Sequence, residues 1–258
     1  TYYELDGDVS GAPLTSTSGS FSNVTPAVEN ATNTFSIVAV DNAGNRSSAT
    51  TTDVVYDTDA PGTPGTPSKT TGNASYINGA EPNVSIAVDF PGTGAVAGDR
   101  LLLLESGAGQ IAERTLTGGD AAGESYSFTV SAASFGSDGS KSVTARLVDE
   151  AGNTGGESGA LALTKDIVPP TISGTLSATE TEITGITVTD DRSGVDTGSY
   201  TADNGASFDG SVVSSLNALS DPGSDQYVLG ASDLAGNPVT RTVEHSRSGS
   251  TYSAALLP

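Results

Sequence analysis

Apolar and polar residues alternate in short runs along the chain, as in NVSIAVDF (83–90), SYSFTVS (125–131) and TEITGITVTD (181–190). A period of two puts every second side chain on one face, which predicts a half-buried β-strand for each run. RLLLLES (100–106) and GALALTK (159–165) read the same way, and no stretch carries a helical period. Gly, Asn, Asp and Ser break the runs roughly every eight to twelve residues, a spacing that suits β-sandwiches of about 100 residues. The chain is therefore expected to be all-β.

A five-residue signature recurs: Asp41-Asn42-Ala43-Gly44-Asn45, Asp149-Glu150-Ala151-Gly152-Asn153 and Asp233-Leu234-Ala235-Gly236-Asn237. Each copy ends a seven-residue strand-like run: FSIVAVD, VTARLVD and YVLGASD. A linker follows the first two copies, Asp57-Thr58-Asp59-Ala60-Pro61 and Asp166-Ile167-Val168-Pro169-Pro170. Matched lags between signature and linker indicate tandem units. Residues 1–57 are expected to be the C-terminal part of a sandwich whose first strands are missing or donated. Residues 58–165 form a complete sandwich and 166–247 a smaller one. Residues 248–258 form a tail, a candidate donor strand.

Composition narrows the function. With 31 acidic and 10 basic residues the net charge is −21, which repels nucleic acid. Cys is absent and His245 is the sole histidine, so thiol chemistry and His-based acid–base or metal centres lack material. No apolar run reaches the roughly 18 residues that a membrane span needs. No leader is recognisable at residue 1, so the chain is expected to be mature or a piece of something larger. No enzymatic activity is expected, since no nucleophile–base constellation is present.

These residues resemble the bacterial Ig-like repeats of large secreted adhesins, including the repeat-in-toxin type. The resemblance rests on the linker Asp57–Pro61, on Tyr76-Ile77-Asn78-Gly79-Ala80-Glu81, on Gly98-Asp99 before Leu101–Leu104, and on the signatures. It implies tandem immunoglobulin-like sandwiches forming an extracellular stalk, often stiffened by calcium. Partners would be neighbouring Ig-like units or copies of the chain, with cell-surface or matrix ligands further out. A filament assembled by strand donation and an accessory carbohydrate-binding module are the competing readings.

In such a sandwich the sixth–seventh strand turn lies at the same end as the domain's own incoming linker. Asp149 is then expected near Asp57 and Asp59, and Asp233 near Asp166, with Asp190, Asp191 and Asp196 joining the latter pair. Asp89 is the comparable candidate in the complete unit. Clustered carboxylates repel unless a cation sits among them, and an all-oxygen set points to Ca²⁺ or Mg²⁺. The candidate metal ligands are Asp57, Asp59, Asp89, Asp149, Asp166, Asp190, Asp191 and Asp233.

A simpler reading of each signature Asp is an Asx turn that caps the Ala-Gly-Asn amides, and the two are compatible because a carboxylate has two oxygens. Asp57 and Asp59 read equally well as solvated linker carboxylates. Asp6-Gly7-Asp8 opens like an EF-hand loop, but Thr17 stands where the loop needs Glu, so a β-turn is expected. Gly62–Lys69 reads as a Pro-stiffened linker, and His245 as a solvent-facing residue on or after the last strand.

Overall fold

A computed structural model describes residues 1–11 and 13–258 of the chain. The first sheet comprises β1 (Tyr2–Gly7), β2 (Leu14–Ser16), β3 (Ala31–Val40) and β4 (Thr50–Tyr56), in the order β2-β1-β3-β4. Its fully enclosed apolar side chains are few: Leu5, Val9 and Val40, while Val54 and Val55 on the edge strand β4 are exposed. In the Asp6–Gly11 segment expected to be a β-turn, Asp6 and Gly7 extend β1 and the chain turns at Ser10 and Gly11. Asp6 and Gly7 pair with Ser36 and Phe35, and Asp8 Oδ2 accepts the Thr34 N–H at 2.8 Å, so strand pairing absorbs its first residues.

The middle stretch folds as two facing sheets. Its strands are β5 (Ser68–Lys69), β6 (Tyr76–Ile77), β7 (Asn83–Asp89), β8 (Arg100–Glu105), β9 (Gly109–Thr115), β10 (Ser125–Ser131), β11 (Gly139–Val148) and β12 (Leu161–Lys165). One sheet runs β10-β7-β5, the other β6-β12-β11-β8-β9. Alternation delivers Val84, Ile86, Val88 and Phe128 from the first sheet against Leu101, Leu103, Val143, Ala145 and Leu147 from the second. A short helix, α1 (Gly118–Gly123), is an addition to the all-strand expectation. It exists through a capping box, in which Thr117 and Asp120 satisfy each other's amides, rather than through an apolar face.

Gly62–Lys69 is more than a linker. The Gly62 N–H donates to Thr93 O and the Gly65 N–H to Asp89 O, both at 2.7 Å, and the segment then enters β5. Glycine permits this approach, since a Cβ on Gly62 would lie 2.9 Å from Thr93 Cα.

The last stretch repeats the two-layer plan with β13 (Thr171–Ala178), β14 (Glu182–Thr189), β15 (Val195–Ala202), β16 (Ser207–Phe208), β17 (Val213–Ser214), β18 (Gly223–Asp233), β19 (Pro238–Ser248) and β20 (Thr251–Leu256). The sheets are β13-β14-β17-β16 and β15-β18-β19-β20, closed over Ile172, Ile183, Val213, Tyr227, Leu229 and Val243. Two expectations need correction here. The tail set aside from 248 is a hairpin strand on its own chain, with Ser248 opposite Thr251 and Val243 opposite Leu256. Its Tyr252, Ala254 and Leu256 alternate inward and are half-buried, which ties it to the sheet.

His245 is buried, not solvent-facing. It shares parity with Val243 along β19; its Nε2 lies 2.9 Å from Thr179 O and its ring stacks on Tyr252.

Candidate functional site

The three signatures form one turn three times. In each, the Asp N–H donates to the closing Asn carbonyl and the Gly N–H returns to the Asp carbonyl, at 3.0–3.2 Å. Gly44, Gly152 and Gly236 take φ of +88°, +98° and +94°, which explains the invariant glycine of the three copies. The Asp carboxylate caps the turn. Its Oδ1 accepts the Asn N–H (2.9, 2.7 and 2.8 Å) and its Oδ2 accepts the Asn Nδ2 (2.9, 2.8 and 2.7 Å) in the first, second and third copies. Burial raises the Asp149 pKa, but the hydrogen bonds from Asn153 outweigh it and hold the group below its ordinary value. The Asn45 amide and backbone N–H lower Asp41 likewise.

The closing Asn also reaches outward. Asn153 Nδ2 donates to Asp57 O at 3.0 Å, and Asn237 Nδ2 to Asp166 O at 2.8 Å. Signature and incoming linker are thereby tied at both junctions, through a main-chain oxygen that no side-chain motif advertises.

At the second junction three carboxylates converge. Oxygens of Asp166, Asp190 and Asp233 all lie within 4.8 Å of one another, with Asp166 and Asp233 buried and Asp190 half-buried. Asp233 arrives because it continues the inward row Tyr227, Leu229, Ala231 of β18. Asp190 follows the last residue of β14, and Asp166 follows β12. Backbone amides hold each carboxylate: Val168 and Ser193 on Asp166, Arg192 and Gly194 on Asp190, and Asn237 on Asp233. Among the described residues no Lys or Arg pairs with any of the three. Two carboxylates about 5 Å apart repel by about 3 kcal/mol at an effective dielectric near 20. A hard divalent cation would relieve that repulsion, and an all-oxygen donor set of this spacing fits Ca²⁺.

The other expected ligands are placed differently. Asp57, Asp59 and Asp149 line a cleft at the first junction together with Asp99 and Glu150. They do not join a group as tight as the triad; Asp57 Oδ1 instead accepts the Asp59 N–H at 3.0 Å. Asp89 points away from the core, because Val88 and Phe90 beside it take the inward positions. Asp191 is exposed, with Arg192 Nε at 3.9 Å, and Asp196 caps Gly198 in β15. Neighbouring positions on a chain leaving a strand face opposite ways, so Asp190 turns inward and Asp191 does not. Asp99, outside the candidate ligand set, is buried in the cleft, and its only signal in the sequence is the Gly-Asp pair before β8.

The fold and its repeated turns define a tandem array of immunoglobulin-like β-sandwiches. A family model described as bacterial Ig-like domain matches residues 2–58 and 155–240, and the chain belongs to that family. Among solved structures it is similar to one from a 1.5-MDa bacterial ice-binding adhesin: 17% identity over 96% of this chain and 86% of that one, TM-score 0.45. It is also similar to a Ca²⁺-stabilized adhesin that helps an Antarctic bacterium bind ice, at 20% identity and TM-score 0.44. That match covers 96% of this chain and 64% of the other, so the chain spans just under two thirds of that structure. Fibronectin(III)-like modules of Clostridium thermocellum CbhA match at 13% identity over 71% of this chain and 95% of theirs, TM-score 0.34. No curated protein matches the chain. No helix among the described residues is long and apolar enough to cross a membrane.

Proposed function

We propose that the chain is a run of Ig-like modules in an extracellular, adhesion-type stalk, with a Ca²⁺-stiffened joint between its last two modules. The modules would be 1–57 (the end of a sandwich), 58–165 and 166–256, the last boundary moved outward to include β20. Family membership and the strongly acidic surface support a non-catalytic structural role outside the cell. The observation that carries the reading is the convergence of Asp166, Asp190 and Asp233 at a module junction without a cationic partner. Asp166 belongs to the linker, Asp190 to the loop after β14 and Asp233 to the signature turn. A single ion held by all three would bind the linker to the body of the last module and remove freedom from the joint.

The test is calorimetric. Saturating Ca²⁺, at about 100 times its dissociation constant, should add about 2.7 kcal/mol and raise the melting temperature of the last module by several degrees. EDTA should reverse the shift. Asp190→Asn, which keeps an acceptor for the Arg192 and Gly194 amides, should bind Ca²⁺ much more weakly. Absence of binding heat together with an unchanged melting temperature would reject the calcium joint.

A further inference from the structure

The second junction carries two hydrogen bonds that bypass the linker. Asn78 Nδ2 donates to Ala235 O at 2.8 Å, and the Gly79 N–H donates to Asn237 Oδ1 at 2.8 Å. Both donors sit in the turn after β6 of the middle sandwich, and both acceptors sit in the signature turn of the last one. Asn237 is thus a node: its Nδ2 holds Asp233 and Asp166 O while its Oδ1 takes the N–H of the preceding sandwich.

The donor turn is built for this contact. Asn78 Oδ1 caps the Ala80 N–H at 3.0 Å, which leaves its Nδ2 facing the next module. Glycine at 79 matters as well, since a Cβ there would lie 3.2 Å from Asn237 Oδ1 and 3.4 Å from Ile167 O.

The first junction has the same signature turn without the same reader. Asn153 Nδ2 makes both of its equivalent bonds, to Asp149 and to Asp57 O. Its Oδ1, the counterpart of the Asn237 oxygen, accepts no hydrogen bond from the described residues of the first sheet. What ties the first sheet there is the linker itself, with the Thr58 N–H donating to Asn30 Oδ1 at 2.7 Å. Attachment through a linker alone permits rotation about it. Attachment at a linker plus two displaced hydrogen bonds defines an angle.

We propose that the Asn78–Gly79 turn is a docking surface for a following module that presents the Asp-x-Ala-Gly-Asn turn, making the second joint fixed-angle and leaving the first to swivel. The proposal uses the division into modules given above but not the ion, since the two bonds involve no carboxylate.

Absence of cysteine allows clean double spin-labelling of the full chain. Labels at the exposed Thr129→Cys and Thr240→Cys report across the second joint, and labels at Thr51→Cys and Thr129→Cys across the first. In EDTA the pair across the first joint should give the wider distance distribution and the pair across the second joint a narrow one. Asn78→Asp keeps the cap on Ala80 but loses the donor to Ala235 O, and should broaden the second-joint distribution to that of the first joint. Equal widths at the two joints of the unsubstituted chain in EDTA would overturn the proposal without touching the calcium reading. So would a narrow distribution that survives in Asn78→Asp. Failure of Ca²⁺ to bind would reject only the calcium joint.

Discussion

At Asn237 one side chain satisfies partners in the signature turn, the linker and the preceding sandwich, whereas the equivalent Asn45 holds only its own Asp41 and is exposed. The same residue type in the same local turn therefore has different worth. Asn237→Ala leaves buried polar groups unpaired and should cost about 2–3 kcal/mol, while Asn45→Ala should cost less than about 1 kcal/mol. Urea unfolding of the two variants measures both, and equal losses would contradict the assignment.

Protonation probes the same turn. The folded pKa of Asp149 lies below the ordinary 3.8, so its contribution to stability is complete well above that value and is lost as pH falls through and below it. Melting temperatures between about pH 6 and pH 2 should fall less steeply for Asp149→Asn than for the unsubstituted chain, with the divergence confined to below about pH 5.

Among the elements, strand parity decided most placements. It is readable wherever a run alternates cleanly, as in β7 or β18, where Asp233 closes an inward row. It was misleading at β19, where Thr, Arg, Glu, His and Ser intervene between few apolar residues, so that His245 read as exposed. Only the tertiary structure shows that its face is covered, by the opposing sheet, where Thr179 directly after β13 sets its carbonyl against His245 Nε2. Tyr252 of β20 supplies part of that cover, stacking on His245 with centroids 5.6 Å apart and lying under the Arg247 guanidinium at 5.5 Å. Tyr252→Ala should lower the stability of the last sandwich by about 1–2 kcal/mol, read as a lower melting temperature with the middle sandwich unaffected. An unchanged transition would mean that β20 adds no stability.

Across the whole molecule, a charge of −21 is spread over bodies joined by short linkers, so like-charge repulsion favours an extended chain. Extension alone does not set angles. The acidic cleft at the first junction and the acidic triad at the second differ in that respect, because among the described residues only the triad brings its carboxylates within one ion's reach and only that junction carries direct bonds between sandwiches. With one stiff and one compliant joint, the proposed stalk would reach outward and still reorient at one point.

Alternation, turn residues and the recurrence of Asp-x-Ala-Gly-Asn were enough to determine an all-β tandem architecture and the capped signature turn, because both depend on contacts between residues close along the chain. Sandwich topology gathers Asp166, Asp190, Asp191, Asp196 and Asp233 at one end, but which of these meet was decided by tertiary structure. Asp166, Asp190 and Asp233 come from three separate segments, and adjacent Asp190 and Asp191 differ only in the direction the backbone gives them as β14 ends. The bonds from Asn78 and Gly79 to a turn more than 150 residues away lie further still from anything local spacing encodes, since they exist only once two sandwiches are folded and set end to end.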